Sequence, residues 1–131
     1  MIILNALNGK PLPGYGDGKN VRDWLYVTDH SSAIRRVAQA GKTGDACNVF
    51  GRNEMTSLEV VQALCSILDE LRPREGGQSY GEQVHYVQDR PGHDRRYAIG
   101  ASLIEHALGR FPAETLQAGI RKTEERRWSG V

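Results

Sequence analysis

The sequence predicts a small mixed α/β fold: helices with a few short strands, and no complete doubly wound sheet. Three observations lead there. Leu58, Val61, Leu64, Cys65, Leu68 and Leu71 recur at helical spacing, the clearest periodic signal in the chain. Short runs rich in β-branched and aromatic residues, such as Val21–Val27 and Val84–Val87, read as strands. These strands do not alternate with helices regularly enough for a full parallel sheet, and no G-x-G-x-x-G or G-x-x-G-x-x-G run follows a strand. The 131 residues amount to a single domain, 1–131.

In chain order, MIILNALNG (1–9) reads as the tail of a helix stopped by Gly9, with no cap or lead-in before it. KPLPGYGDG (10–18) reads as a Pro/Gly-rich loop. Gly14, Gly16 and Gly18 are evenly spaced, but they precede a strand rather than a helix, the wrong context for a dinucleotide loop. After the 21–27 strand, Thr28 is expected to cap a helix with Asp29 in its first turn. That helix runs to about Ala40, with Ala33, Ile34, Val37 and Ala38 facing inward and Gly41 and Gly44 ending it. Cys47–Phe50 reads as a short strand. Thr56-Ser57-Leu58-Glu59 matches a capping box in front of the long helix. Pro73–Gly77 reads as a loop, 84–87 as a strand, 89–96 as a polar loop, 97–99 as a brief strand and 101–108 as a short helix stopped by Gly109. A last amphipathic helix is expected over about 114–127, with Leu116 and Ile120 inward and Trp128 near its end.

Composition narrows the function classes. Lys+Arg number 17 against Asp+Glu 16, a net charge of +1, so there is no global basic field to draw the chain onto nucleic acid. Local clusters such as Arg95-Arg96 and Arg126-Arg127 still allow a small anionic ligand. No apolar run is long enough to span a membrane, and no secretory signal opens the chain, so a reducing, cytoplasmic setting is expected. Cys47 and Cys65 form no CxxC pair, and the histidines at 30, 85, 93 and 106 lack zinc-ligand spacing, so no metal site is expected.

Four stretches can carry recognition chemistry. DRPGHDRRY (89–97) sets two acids, three arginines and a histidine around Pro91-Gly92. The rigid arginine fork suits phosphate, and a Pro-Gly turn gives such donors a fixed backbone; the competing reading is a solvated, self-neutralising loop. Arg22, with Asp23, enters an otherwise apolar strand, and a charge entering a core must be paired or ligand-bound. Pairing with Asp23 or Asp29 and contact with a phosphate are both open. Lys10–Gly18 can offer an apolar wall and Tyr15 a stacking face for a flat base, against an ordinary surface loop. Ser57 lies in the first turn of the capped helix, where N–H groups attract anions, or simply helps the helix to start. Tyr15 has Lys19 four residues on, but in a loop, where the two could not share a helix face; there is no helical Tyr-x-x-x-Lys pair. His93 with Asp94 reads as a hydrogen-bonding pair rather than a base, so no catalytic residue is assigned.

LNALNGKPLPGYGDGKNVRDWLYVTDH (4–30), CNVFGRNE (47–54), YGEQVHYVQDRPGHDRRYAI (80–99) and FPAETLQAGIRKTEERRW (111–128) together resemble the C-terminal half of dTDP-glucose 4,6-dehydratases, members of the extended short-chain dehydrogenase group. DRPGHDRRYAI is the most specific part, while RDWLYV-DH alone indicates only the wider group, sugar epimerases included. The resemblance implies the C-terminal substrate domain of such an enzyme, without its Rossmann part. It implies a dTDP-sugar nucleotide as partner, and NAD as cofactor of the full-length family but none in this chain. It places Lys10, Pro11, Leu12, Pro13 and Tyr15 beside the nucleotide and Arg22 on the phosphate side. Asp89, Arg90, Pro91, Gly92 and His93 belong to the loop closing on the nucleotide. Ser57 aligns where the family has Asn; Phe50 replaces a usual Gly and Gly100 a usual Asp. The family's glycine fingerprint, catalytic Tyr-x-x-x-Lys pair and adjacent Asp-Glu acid pair belong to a part N-terminal to every stretch matched here.

The expected function is therefore nucleotide-sugar binding without turnover by the chain alone. Alternatives are the substrate domain of a related nucleotide-sugar epimerase or dehydratase, one half of a split enzyme, or a non-catalytic remnant that self-associates through exposed apolar surface.

Overall fold

In a computed structural model of the chain, residues 1–89, 94–97, 104, 108–109 and 112–129 are described, without the side chains of Tyr97 and 127–129. Arg90–His93, Ile99, Gly100 and most of the helix expected over 101–108 lie outside the described residues; within that stretch Ile104 and Leu108 are helical.

The chain opens with helix α1 (Ile2–Leu7). Gly9 ends it at φ 66, as expected, in a left-handed turn in which the Gly9 N–H reaches the Ala6 carbonyl at 3.1 Å and the Lys10 N–H the Asn5 carbonyl at 2.9 Å. The Pro/Gly stretch after it is not all loop: Leu12–Tyr15 form strand β1, parallel to β4 (Val84–Val87), with Leu12 opposite Val84 and Tyr15 opposite Val87. The prolines themselves supply the reason. Lys10 and Leu12 each precede a proline and are driven towards extended backbone. The turn begins only at Gly16 and Gly18, at φ 59 and 70.

Strand β2 is Val21–Asp23, shorter than the 21–27 expected. It pairs antiparallel with β3 (Glu54–Thr56) and parallel with β5 (Arg96–Tyr97), giving the order β3–β2–β5. Helix α2 (Val27–Ala40) starts earlier than expected. Thr28 therefore lies inside the first turn rather than capping it, and the N-cap residue Tyr26 makes no side-chain cap bond. Ala33 is buried and Val37 half-buried, but Ala38 is exposed and Ile34 is 54% exposed, contrary to the inward stripe expected.

Cys47–Phe50 forms no strand. Its side chains still pack inward: Cys47, Val49 and Phe50 rest on a cluster of Ala33, Ile104 and Leu108. The turn at 51–53 is shaped by a side chain instead of a ladder, because the Asp23 carboxylate accepts the N–H groups of Gly51 at 2.5 Å and Asn53 at 2.9 Å.

Helix α3 (Ser57–Leu71) bears out its sequence signal. The Thr56 hydroxyl accepts the Glu59 N–H at 3.1 Å while the Glu59 carboxylate accepts the Thr56 N–H at 2.7 Å, a complete capping box. Its inner face forms the main core: Val61, Leu64, Cys65 and Leu68 pack with Ala6, Leu12 and Tyr80. Leu68 and Leu12 are both 0% exposed; truncating a side chain so placed costs about 2–5 kcal/mol. A 3₁₀ turn at Tyr80–Gln83 leads into β4. The last helix, α4 (Leu116–Ser129), lays Ile120 against the same core. The result is a mixed α/β unit with short strands and, among the described residues, no closed sheet.

Candidate functional site

Strands β1 and β4 run parallel, so both deliver the chain to the same end of their sheet: β1 into the turn 16–20, β4 into the segment from Gln88. Strand β2 begins at the same place. The crevice outside the carboxyl ends of parallel strands is where ligands of α/β proteins bind. Tyr15 ends β1 opposite Val87, Asp89 follows β4 within reach of Asn20, and Arg22 Nη2 donates to the Asp94 carbonyl.

Backbone bonds weld this end together. The Gly16 N–H donates to the Val87 carbonyl at 2.9 Å and the Gly18 N–H to the Tyr15 carbonyl at 3.0 Å. These donors are thus engaged, and the glycines do not fit a dinucleotide loop, which needs its N–H groups open to a pyrophosphate. The Val21 N–H donates to the Arg95 carbonyl at 2.9 Å. Across the mouth, the Arg95 guanidinium stands 3.6 Å from the Asp17 carboxylate, both well exposed.

Arg22 is half-buried and satisfies neither pairing considered for it. Its Nη1 donates to the Val21 carbonyl at 2.7 Å and its Nη2 to the Asp94 carbonyl at 2.8 Å; among the described residues it faces no carboxylate at ion-pair distance. Asp23 is committed to Gly51 and Asn53. Asp29, 5% exposed, accepts the N–H groups of Ala113 and Glu114. A guanidinium held only by neutral carbonyls keeps its charge available to an anion.

The remaining expected residues divide. Tyr15, Pro13 and Asp89 are half-buried at or near this mouth. Lys10 and Pro11 are exposed at the opposite, amino end of β1. The Leu12 side chain is sealed in the core, so only its backbone faces outward chemistry. Ser57 does not stand over an open helix terminus. Its N–H and Oγ both donate to the Asn20 carbonyl, at 3.0 and 3.3 Å, and the Leu58 N–H donates to the Gly18 carbonyl at 3.1 Å. With the Glu59 N–H taken by Thr56, these helix donors are spent inside the fold. Arg90, Pro91, Gly92 and His93 lie outside the described residues, flanked by Asp89 and Asp94.

Sequence reading missed Asn20, which donates from Nδ2 to the Asp89 carboxylate at 3.3 Å. The signal available was its place between a glycine turn and a strand. It also missed a cavity of about 210 Å³ between α3, α4 and residues 24–26, lined by Trp24, Tyr26, Leu64, Leu116 and Ile120. That cavity is largely apolar, and none of its described lining residues is an arginine. Among the described residues no group of three His, Cys, Asp or Glu could hold a metal ion, and no helix is long and apolar enough to cross a membrane.

Comparison with known proteins fits this geometry. The model of the family described as GDP-mannose 4,6 dehydratase matches residues 1–123. The chain is 54% identical over 123 residues to the dTDP-glucose 4,6-dehydratase of Xanthomonas campestris pv. campestris, covering 94% of this chain and 35% of that protein. It is 54% identical over 125 residues to dTDP-glucose 4,6-dehydratase 1 of Escherichia coli K12, covering 95% and 34%. It thus spans about a third of the length of these relatives. Among solved structures, the dTDP-glucose 4,6-dehydratase of Bacillus anthracis in complex with NAD superposes with a TM-score of 0.82 at 41% identity, over 98% of this chain and 38% of that one. The UDP-glucose 4-epimerase of Thermotoga maritima shares the fold, with a TM-score of 0.83 at 23% identity over 98% of this chain and 38% of that one.

Proposed function

Since the chain belongs to the GDP-mannose 4,6 dehydratase family, we propose that it is the C-terminal, sugar-nucleotide-binding part of a dTDP-glucose 4,6-dehydratase. The observation that carries this reading is the half-buried Arg22, held among the described residues by carbonyls alone, those of Val21 and Asp94. In this reading Arg22 and Arg90 take the diphosphate, and Tyr15 offers its ring to the base. Lys10, Pro11 and Pro13 border the nucleotide, and Leu12 acts through its backbone. Ser57 acts through Asn20 rather than by touching ligand. A diphosphate suits such a place because bidentate arginine contacts strengthen where water is partly excluded.

Hydride transfer and dehydration are assigned to none of these residues. Tyr15 and Lys19 have the spacing of a Tyr-x-x-x-Lys pair, but Tyr15 ends a strand and Lys19 follows a turn, so no helix aligns them. The glycine turn is closed by its own backbone bonds. The chain by itself is expected to bind dTDP and dTDP-glucose and to form no 4-keto sugar. Isothermal titration with each ligand, beside an assay for the keto product, tests both halves. Absence of heat with either ligand at millimolar concentration refutes the binding role, and product formation refutes the inactivity.

A second reading, self-association, has one observation of its own: Val27 and Ile34, two turns apart on α2, are 61% and 54% exposed. Sedimentation of a concentration-independent monomer removes it.

A further inference from the structure

The cavity between α3, α4 and residues 24–26 shares no lining residue with the nucleotide site proposed above. Trp24, Tyr26, Val60, Leu64, Leu116 and Ile120 line it, and no charged side chain does. Asn53, Thr115 and Thr123 line it too, but each is already bonded inside the fold. Asn53 Nδ2 donates to the Gly51 carbonyl at 2.8 Å and its Oδ1 accepts the Leu116 N–H at 3.3 Å. Thr115 Oγ1 accepts the Ala118 N–H at 3.2 Å, and Thr123 Oγ1 donates to the Gly119 carbonyl at 2.7 Å. Both threonines are exposed, so the cavity reaches the surface beside α4. Water gains little there, because a held water needs roughly two to four polar partners. Nor does the chain fill the space itself. Helix α4 meets the Tyr26 ring through the bare backbone of Gly119, where a Cβ would stand 3.1 Å from the ring. Walls that face a void forgo dispersion contacts that an occupant restores. An apolar cavity of about 150 Å³ takes benzene; at about 210 Å³ this one has room for a second fused ring.

We propose that this cavity is a second binding site, for a small neutral aromatic molecule of up to two rings. Packing against the Trp24 and Tyr26 rings holds it, since aromatic pairs gain beyond the area they bury. Charge is excluded, because a carboxylate or phosphate entering the cavity gives up water and meets no countercharge. The site goes beyond the nucleotide-binding role and does not rest on it.

The test titrates the methyl-labelled chain with indole and, separately, with benzoate, a charged aromatic of similar size. Indole is expected to move the methyl signals of Val60, Leu64, Leu116 and Ile120 to saturation. It is also expected to raise the melting temperature with concentration, as a ligand of the folded chain alone does. Benzoate is expected to leave the same signals in place, so that charge and not size decides entry. Val60→Phe sets a ring of the protein's own in the gap and is expected to weaken indole at least about tenfold, the loss of about 1.4 kcal/mol of binding. Should Val60→Phe fail to fold, the contrast between indole and benzoate in the parent decides alone. Indole shifts that do not saturate, or that centre on the exposed Val27 and Ile34, overturn the proposal. So does benzoate binding as tightly as indole, or a folded Val60→Phe chain that binds indole as the parent does.

Discussion

The Asp29 carboxylate, on the first turn of α2, accepts the backbone N–H of Glu114 at 2.9 Å, 85 residues away in sequence. A second bond, from the Ala113 N–H at 3.1 Å, uses the same oxygen. The pair of donors just ahead of α4 is thereby tied to α2. Asp29→Ala leaves both N–H groups without this acceptor in a half-buried place, and is expected to cost about 1.5–3 kcal/mol. Urea unfolding of parent and variant measures it. A change within a few tenths of a kcal/mol means the tie is cosmetic.

Gly51 is held where no side chain fits: a Cβ there would lie 2.0 Å from the Trp24 carbonyl oxygen. Gly51→Ala must push the 51–53 turn off Trp24 and is expected to destabilise by about 1–3 kcal/mol. Its neighbour Arg52 sits at φ 55, a backbone region costly for any residue with a Cβ. Arg52→Gly is accordingly expected to be neutral or stabilising, opposite in sign, and thermal melts of the two variants beside the parent check both.

The two thiols differ in burial. Burial, with a smaller push from Asp69, raises the Cys65 thiol to about 11. Cys47 is half-buried. Because the thiolate is the nucleophile, iodoacetamide at neutral pH is expected to label Cys47 in the folded chain and Cys65 only after denaturant is added. Peptide mapping of the labelled protein reads this directly.

The capping box carries a pH dependence. The Thr56 N–H, then the Thr56 hydroxyl, hold the Glu59 carboxyl below its ordinary 4.5. A carboxyl whose folded value is depressed stabilises the fold above its unfolded value and loses that contribution as pH falls through the folded one. The melting temperature of Glu59→Gln is therefore expected to fall short of the parent's at neutral pH, with the gap closing as the solution is acidified below the ordinary value. Thr56→Ala removes the cap at every pH and is expected to cost about 1 kcal/mol.

Local chemistry was legible in the sequence wherever it alone decides the structure. The Thr56–Glu59 box, the Gly9 stop and the apolar face of α3 all formed as expected. Elements decided by a distant partner were not. Leu12–Tyr15 is a strand because Val84–Val87 lies alongside it, a pairing that a Pro/Gly-rich stretch does not advertise. Cys47–Phe50 has the residues of a strand but packs its side chains without joining either sheet. Val27 looks like the end of a strand and instead begins α2. At the site, Arg22 and Asp89 could be picked out because charge is conspicuous in an apolar or turn context. Asn20 could not: a lone asparagine after a glycine turn is common, and only the fold shows that its amide meets Asp89.

The most direct measurement of the central claim is a titration of the isotope-labelled chain with dTDP, followed residue by residue by NMR. Shifts that saturate and cluster at Tyr15, Asn20–Arg22 and 89–96, leaving the apolar cavity at Trp24 and Leu116 unmoved, are the expected result. Saturating shifts centred on that cavity, or none at millimolar dTDP, would contradict it.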